Sequence, residues 1–211
     1  MQTGTRALET KSEVWIIKPD GGEELFAKEE ESSVRLLGIG ELQDPVEEAL
    51  KEAKAGEEFD VVLEPNKDQQ KGTPTYETHL VEWIKPSKVL SQTKGRPQVG
   101  QSVIYNGLQT RIAEIKAGRI KVDGNPPLAG KTIRLHLKVV RVLEDPADIA
   151  RAILKREVKG ATPVIIAKDG FLEITDDGGR LNSEQRMRIV AVLRPPTGMG
   201  VRFVEEHVAP T

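Results

Sequence analysis

Hydrophobic and polar residues alternate along several short segments of the chain, and this period of two predicts β-strands. The clearest case is the segment 132–139, which puts Ile, Leu, Leu and Val on one face and Arg, His and Lys on the other. Phe59, Val61 and Leu63 repeat the pattern earlier in the chain. Each segment therefore predicts a strand with one buried face and one solvent-facing side.

A helical period marks the N-terminal third, where four apolar residues recur at helical spacing between positions 46 and 53. Asp44 is suited to capping a helix, Pro45 to its first position and Glu47 to its third. Gly56 follows where a helix end favours a positive φ. We therefore expect a short helix that begins at Asp44 and stops before or at Gly56.

The middle of the chain predicts a compact β unit. Short apolar runs are separated by turns at Asn106-Gly107 and Ala117-Gly118, and Asn-Gly between strands is a strong hairpin signal. The segment 122–130 is a turn built from Asp-Gly, Asn and paired prolines, and it leads directly into the strand 132–139. Because so small a sheet is marginally stable alone, it fits better as an insertion held at both ends.

The C-terminal part predicts a short helix or linker after Asp145-Pro146 and then a β-β-α-β module. Its strands are predicted at 164–167, 171–175 and 201–204, with a turn at 176–179. Its helix is predicted to be capped by Asn182 or Ser183 and stopped by Pro195-Pro196.

Composition narrows the class of protein. The chain has no cysteine, which excludes disulfides, thiolate catalysis and cysteine-ligated zinc and is typical of cytoplasmic proteins. No apolar run is long enough to span a bilayer, and the first residues lack the apolar core of a signal peptide. His79, His136 and His207 lack the spacing of metal ligands. We expect a cytoplasmic protein without membrane contact, metal or cofactor.

Charge is distributed unevenly. Residues 1–89 carry 11 Lys/Arg and 20 Asp/Glu, whereas residues 90–149 carry 10 and 5. Four arginines of the last module could add a second basic face: Arg186, Arg188, Arg194 and Arg202. A ribosome- or RNA-binding protein therefore stays open as an alternative, beside ordinary solvated surfaces.

Three segments, in this order and spacing, resemble FKBP-type peptidyl-prolyl isomerases of the SlyD-like and long archaeal type. The first is 41–61, with Leu42-Gln43-Asp44-Pro45-Val46 and Gly56-Glu57-Glu58-Phe59-Asp60-Val61. The second is Tyr76-x-x-His79-Leu80-Val81 together with Val99-Gly100-Gln101. The third is the turn 122–130 with the strand through Val140. The resemblance covers about residues 14–145, and the last module resembles the extra domain of the long archaeal members.

The resemblance implies an α+β fold in three parts. Residues 1–88 and 131–145 would form an FKBP-like antiparallel sheet with a short helix. Residues 89–130 would form a small β domain inserted in its flap, and residues 146–211 a linker helix and the C-terminal module.

The resemblance also implies a prolyl pocket. Phe59 falls on the pocket phenylalanine of the family, and Leu42 and Val46 fall on two apolar wall positions; core packing is the other reading of all three. The family has isoleucine where Gln43 stands and glycine where Pro45 stands, and its pocket tyrosine either corresponds to Lys71 before Gly72 or is lost in a local insertion. We therefore expect weak or absent isomerase activity and assign no catalytic residue.

In the family the inserted domain binds unfolded clients through an apolar sheet face. The matching candidates here are Val103, Tyr105, Leu108, Ile112 and Leu128, which could instead form the small core of the insert. The expected partners are unfolded or nascent polypeptides, with the ribosome as a further candidate, and the expected function is mainly that of a chaperone.

Overall fold

The computed structural model describes residues 6–93, 95–157, 164–175 and 181–204. Two compact units are present, Met1–Leu63 with Arg134–Thr211 and Glu64–Ile133. The structure is mixed α+β with mostly antiparallel strands, as the sequence predicts. The predicted turn at 176–179 and His207 lie outside the described residues. None of the described helices has the length and apolar character needed to cross a membrane.

The described strands and helices follow one another in this chain order: β1 Arg6–Ile17, β2 Glu23–Lys28, β3 Ser33–Leu37, α1 Asp44–Leu50, β4 Glu58–Leu63, β5 Val81–Ile84, β6 Ser102–Tyr105, β7 Leu108–Lys116, β8 Arg119–Asp123, β9 Thr132–Leu143, α2 Pro146–Glu157, β10 Val164–Lys168, β11 Phe171–Thr175, α3 Ser183–Thr197 and β12 Gly200–Val204. Short 3-10 turns stand at Thr78–Leu80, Pro86–Lys88 and Leu90–Gln92.

A five-stranded sheet organises the first unit. Its strands lie in the order β2-β1-β9-β4, and β3 pairs with β1. The N-terminal half of strand β1 shows no clear apolar alternation in the sequence, because two of its buried positions are polar. Thr10 and Ser12 are buried and accept hydrogen bonds from the guanidinium of Arg35, at 3.2 Å and 3.1 Å. Hydropathy alone therefore cannot reveal this half of the strand.

Helix α1 is shorter than predicted and is not capped by Asp44. Gln43 is its N-cap residue and makes no side-chain capping hydrogen bond, so Asp44 is already helical. Glu47 turns outward and accepts a hydrogen bond from the backbone of Gly38 at 2.9 Å. The helix ends at Leu50, and Gly56, with a φ of 90°, lies in the following turn into β4 rather than at the helix end.

The C-terminal elements confirm the predicted β-β-α-β order. Strand β10 is antiparallel to β11, and β12 is parallel to β11. Asn182 caps α3 in a capping box with Gln185. The predicted stop at Pro195-Pro196 is wrong, because α3 continues to Thr197. It ends at Gly198, whose left-handed backbone lets its N–H reach the carbonyl of Arg194.

These C-terminal elements share one hydrophobic core with β1 and β3. Residues from both sides contribute to this core, including Ala7, Val34, Leu36, Leu143, Ile149, Ile153, Leu154, Ile165, Leu172, Ile174, Ile189 and Leu193. The described residues of α2, β10, β11 and α3 therefore contribute to the core of the first unit. The predicted domain limits at 88, 130 and 145 stay a prediction, since the compact units divide the chain after residues 63 and 133.

The second unit is a four-stranded antiparallel sheet in the order β5-β8-β7-β6. The two predicted hairpins are confirmed, with positive φ at Asn106 and Ala117 and at the glycines that follow them. Strand β5 was not predicted, because four residues are too few to show an alternation. Six buried side chains form the core: Ile84, Val89, Val103, Ile112, Ile120 and Val122.

Candidate functional site

Phe59 lies on β4, half-buried, on the same face as the buried Val61 and Leu63. A groove of about 430 Å³ reaches its ring. The other lining residues come from α1 and the turn that follows it: Glu48, Ala49, Lys51, Glu52, Ala53 and Glu57. Four of these six carry a charge, so the groove lacks the apolar floor that a prolyl ring needs.

Leu42 and Val46 do not line the groove beside Phe59. Both are buried, with the exposure of core residues. The structure thus places one predicted pocket residue on a groove and two in the interior of the first unit. A prolyl pocket made of all three stays a prediction.

Lys71, at the expected tyrosine position, and Trp15, on β1, both make polar contacts. Lys71 pairs with Asp68 at 3.5 Å between two exposed side chains. The indole N–H of Trp15 donates to Glu13 at 3.2 Å, and the guanidinium of Arg134 lies 5.5 Å from the centre of its ring. Trp15 therefore belongs to a charged surface of the sheet.

That charged surface spans β4 and β9. Arg134 donates to Glu23 and to Asp60 at 2.9 Å each, and His136 lies 3.0 Å from Asp60. The hydrogen bonds from Arg134 are the largest cause that lowers the pKa of Asp60 and of Glu23. The pattern of residues 132–139 correctly predicts the polar face, but not these partners, which lie more than 70 residues away in sequence.

Lys138 extends the same surface by a hydrogen bond of 2.8 Å to Glu58. This contact is the largest cause that lowers the pKa of the Glu58 carboxyl. The Arg134 and His136 side chains are 25% and 28% exposed, whereas the carboxylates are more exposed, so the network contributes modestly to the stability of the sheet.

The predicted client-binding residues separate into core and surface. Val103 and Ile112 are 3% and 0% exposed and belong to the core of the second unit, against which Tyr105 packs. Leu128 is half-buried. Leu108 is 55% exposed and is therefore the member of the set with the most accessible surface.

Ile104 is 60% exposed but is not among the predicted client-binding residues. It stands between two other apolar residues of β6, so the sequence does not show which of the three face solvent. It lines a groove of about 480 Å³ with Gln92, Ser102, Val103, Gly107 and Gln109. Val99 and Leu90 add exposed apolar surface elsewhere in the second unit. Large exposed apolar side chains concentrated on one small sheet are typical of a binding surface.

Strand β6 is an edge of the four-stranded sheet, and a side chain covers part of its backbone. The amide of Gln92 donates to the carbonyl of Ile104 at 2.8 Å and accepts from its N–H at 2.6 Å. The side chain thus occupies the hydrogen-bonding groups that a neighbouring strand would use. Removing it would leave an edge that can pair with an extended polypeptide.

The turn 122–130 is fastened to the segment that precedes β5. Asp123 accepts hydrogen bonds from the backbone N–H and the side-chain amide of Asn125, both at 2.8 Å, and from the Tyr76 hydroxyl at 3.3 Å. Asn125 in turn accepts from Glu77 N–H at 2.8 Å and donates to its carbonyl at 3.0 Å. Burial and the nearby Asp123 carboxylate raise the pKa of Tyr76. The turn therefore fixes the end of β8 to the segment that leads into β5.

Among the residues that the structure describes, no group of three or more His, Cys, Asp or Glu side chains could hold a metal ion.

Comparison with known proteins gives two informative relatives, and no family model matches the chain. A short-type peptidyl-prolyl cis-trans isomerase of Methanocaldococcus jannaschii is 29% identical over 104 residues, which are 49% of this chain and 63% of the relative. An FKBP-type 16 kDa peptidyl-prolyl cis-trans isomerase of Escherichia coli is 28% identical over 116 residues, 53% of this chain and 72% of the relative. The chain thus spans less than two thirds of the first relative. This similarity supports the FKBP family of prolyl isomerases for about half of the chain.

Proposed function

We propose that this protein is a folding factor of the FKBP type that acts mainly by holding unfolded or nascent polypeptides. In this proposal the second unit is the inserted domain of SlyD-like and long archaeal members, and it carries the client-binding surface. Isomerase activity is weak or absent. The similarity to isomerases supports the family, and the surface of β6 is the observation that supports a holding role.

The holding role follows from what β6 offers to a client. Ile104 of β6 and Leu108 at the start of β7 provide exposed apolar side chains beside the same turn, on opposite faces of the sheet, and burying either one fully would contribute up to about 1.5–3 kcal/mol. Once the Gln92 amide is displaced, the edge of β6 provides backbone groups that recognise any extended chain, whatever its sequence. Apolar contact with backbone pairing suits a protein that must accept many unfolded clients.

Weak isomerase activity follows from the groove beside Phe59. Prolyl isomerisation crosses a barrier of about 18–20 kcal/mol set by amide resonance, and an enzyme lowers it by binding the twisted amide in a desolvated pocket. The charged residues that line this groove keep it hydrated. Leu42 and Val46 are already committed to core packing.

Two assays on the full chain test the proposal. The Ile104→Ser/Leu108→Ser variant should lose most of its ability to suppress aggregation of a reduced, carboxymethylated model protein. The matched Val62→Ser/Val140→Ser variant removes two similarly exposed apolar residues from the first unit and should keep that ability. An equal loss of aggregation suppression in the two variants would contradict the proposed client-binding surface.

The second assay is protease-coupled isomerisation of a proline peptide, run beside the Escherichia coli relative. We expect this chain to be at least about 100-fold less efficient, a difference of about 2.7 kcal/mol in transition-state binding. An efficiency comparable to that of the Escherichia coli relative would contradict weak isomerase activity. It would not bear on the holding role, which the first assay tests.

A ribosome- or RNA-associated role is the second candidate. Arg96, Arg111, Lys116 and Arg119 are exposed in the second unit, and none forms an ion pair with another described residue. Sedimentation with ribosomes at low and at moderate salt tests this role, because phosphate binding weakens steeply with ionic strength. The absence of co-sedimentation at low salt would remove this candidate.

A further inference from the structure

The solvent side of α3 carries an apolar groove that the proposed function does not use. Its volume is about 690 Å³. Its lining consists of Arg186, Met187, Val190, Ala191, Arg194 and Phe203. The helical members fall into two rows of four-residue spacing, so they form one continuous side of α3, and the residue from β12 forms the opposite wall.

The centre of the groove is apolar and accessible. Met187 is 69% exposed, Ala191 is exposed, and Val190 and Phe203 are half-buried. A single exposed apolar residue is ordinary, but several that line one concave surface favour contact with a protein segment. An accessible methionine suits such contact because its unbranched side chain adapts to irregular partners.

Arginines stand at the two ends of this apolar stretch. The guanidinium of Arg186 lies 5.3 Å from the centre of the Phe203 ring. Arg194 is exposed and forms no ion pair with another described residue. The two positions are separated by eight residues of helix, or about 12 Å along its axis.

We propose that this groove binds a segment of a partner protein that has an apolar centre and an acidic residue at each end. About 12 Å corresponds to two turns of a helix or to about four residues of a strand. In either form the carboxylates meet Arg186 and Arg194 while the apolar centre covers Met187 and Val190. RNA fits less well, because phosphate binding needs cations along the groove and the lining between the two arginines is apolar.

Fluorescence anisotropy with the full chain tests this proposal. The probe is a labelled synthetic peptide of about four helical turns, with leucines at its centre and a glutamate at each end of the apolar stretch. A second peptide carries lysine in place of both glutamates, and a short poly(U) strand represents RNA. We expect the acidic peptide to bind about tenfold more tightly than the lysine peptide.

Three variants locate the binding. Arg194→Glu should weaken binding of the acidic peptide about threefold or more and strengthen binding of the lysine peptide. Met187→Asp should weaken binding of the acidic peptide about tenfold. Arg188→Glu makes the same charge change on an exposed position of α3 outside the groove and should leave binding unchanged.

Several results would overturn the proposal. The first is equal affinity for the two peptides. The second is a loss of acidic-peptide affinity in Arg188→Glu that equals the loss in Arg194→Glu. The third is binding of poly(U) that Arg194→Glu weakens as much as it weakens binding of the acidic peptide. A dimer of the full chain that Met187→Asp dissociates would show that a second copy covers the groove. None of these results bears on the client-binding surface of β6, so failure here leaves the proposed function standing.

Discussion

Arg6 ties β1 to α1 through backbone carbonyls. Its guanidinium donates to the carbonyl of Leu50 at 2.9 Å and to those of Lys51 and Ala53. A helix of seven residues is unstable on its own, and its last carbonyls lack partners within the helix. The Arg6 side chain satisfies three carbonyls at and beyond this end, so the position of α1 depends on a residue about 45 positions earlier in sequence.

Replacing Arg6 by alanine should lower the free energy of unfolding by about 1–3 kcal/mol, since partly buried carbonyls lose their donors. Urea denaturation measures the change. Lys155→Ala, which removes an ion pair between two exposed side chains, should change stability by less than about 0.5 kcal/mol. A similar small effect in both variants would show that Arg6 does not hold the helix end.

Arg134 makes the stability of the first unit depend on acid. The pKa values of Glu23 and Asp60 are lowered in the folded state, chiefly by hydrogen bonds from Arg134. A lowered pKa means that the carboxylates stabilise the fold above their ordinary values of 4.5 and 3.8, and that this contribution is lost as the pH falls through the folded pKa.

We therefore expect the urea concentration at the unfolding midpoint of the wild type to decrease as the pH is lowered from about 6 to about 3. The decrease should be smaller in Arg134→Gln. Lys71→Gln removes an exposed ion pair within one loop and should keep the wild-type dependence. An unchanged acid dependence in Arg134→Gln would contradict this role of Arg134.

At the scale of elements, the edge of β6 carries the clearest link between structure and function. Gln92 satisfies both backbone groups of Ile104 with one side-chain amide. This arrangement protects the edge from unwanted pairing while leaving Ile104 accessible. A client strand would have to displace the amide before it could pair with β6.

Gln92→Ala should therefore strengthen binding of a carboxymethylated, unfolded model protein about threefold, because a competing pair of hydrogen bonds is removed. Gln98→Ala, which truncates an exposed glutamine outside the groove, serves as the matched control. Weaker binding by Gln92→Ala would show that the Gln92 amide itself contacts the client.

Elements with strong local signals could be predicted from sequence. Asn106-Gly107 predicted its hairpin, and Asn182 predicted the start of α3. The prediction failed where tertiary contacts override local preference. Asp44 does not cap α1 because the chain enters the helix one residue earlier, at Gln43. Pro195-Pro196 did not stop α3, whose final turn is closed by Gly198.

At the scale of the whole molecule, the sequence predicts the α+β class but not how burial is divided between its parts. The side chains of Val103 and Ile112 look like candidates for a client surface, yet they form the core of the second unit. Ile104, which follows Val103 in β6, is exposed instead. Which face of so small a sheet is covered depends on the turns that pack against it, and no local pattern shows this.

The similarity to FKBP-type isomerases covers about half of the chain, and the residues around Phe59 do not offer an apolar pocket. Binding of unfolded chains by the second unit, as proposed, is compatible with both observations. We therefore expect clients to contact β6 rather than the groove beside Phe59.

Site-specific photocrosslinking tests this location most directly. A photoreactive phenylalanine analogue is placed at residue 104 or at residue 59 of the full chain, and each variant is irradiated with a carboxymethylated, unfolded model protein. We expect a strong crosslink from residue 104 and only background from residue 59. A strong crosslink from residue 59 with background at residue 104 would contradict the account.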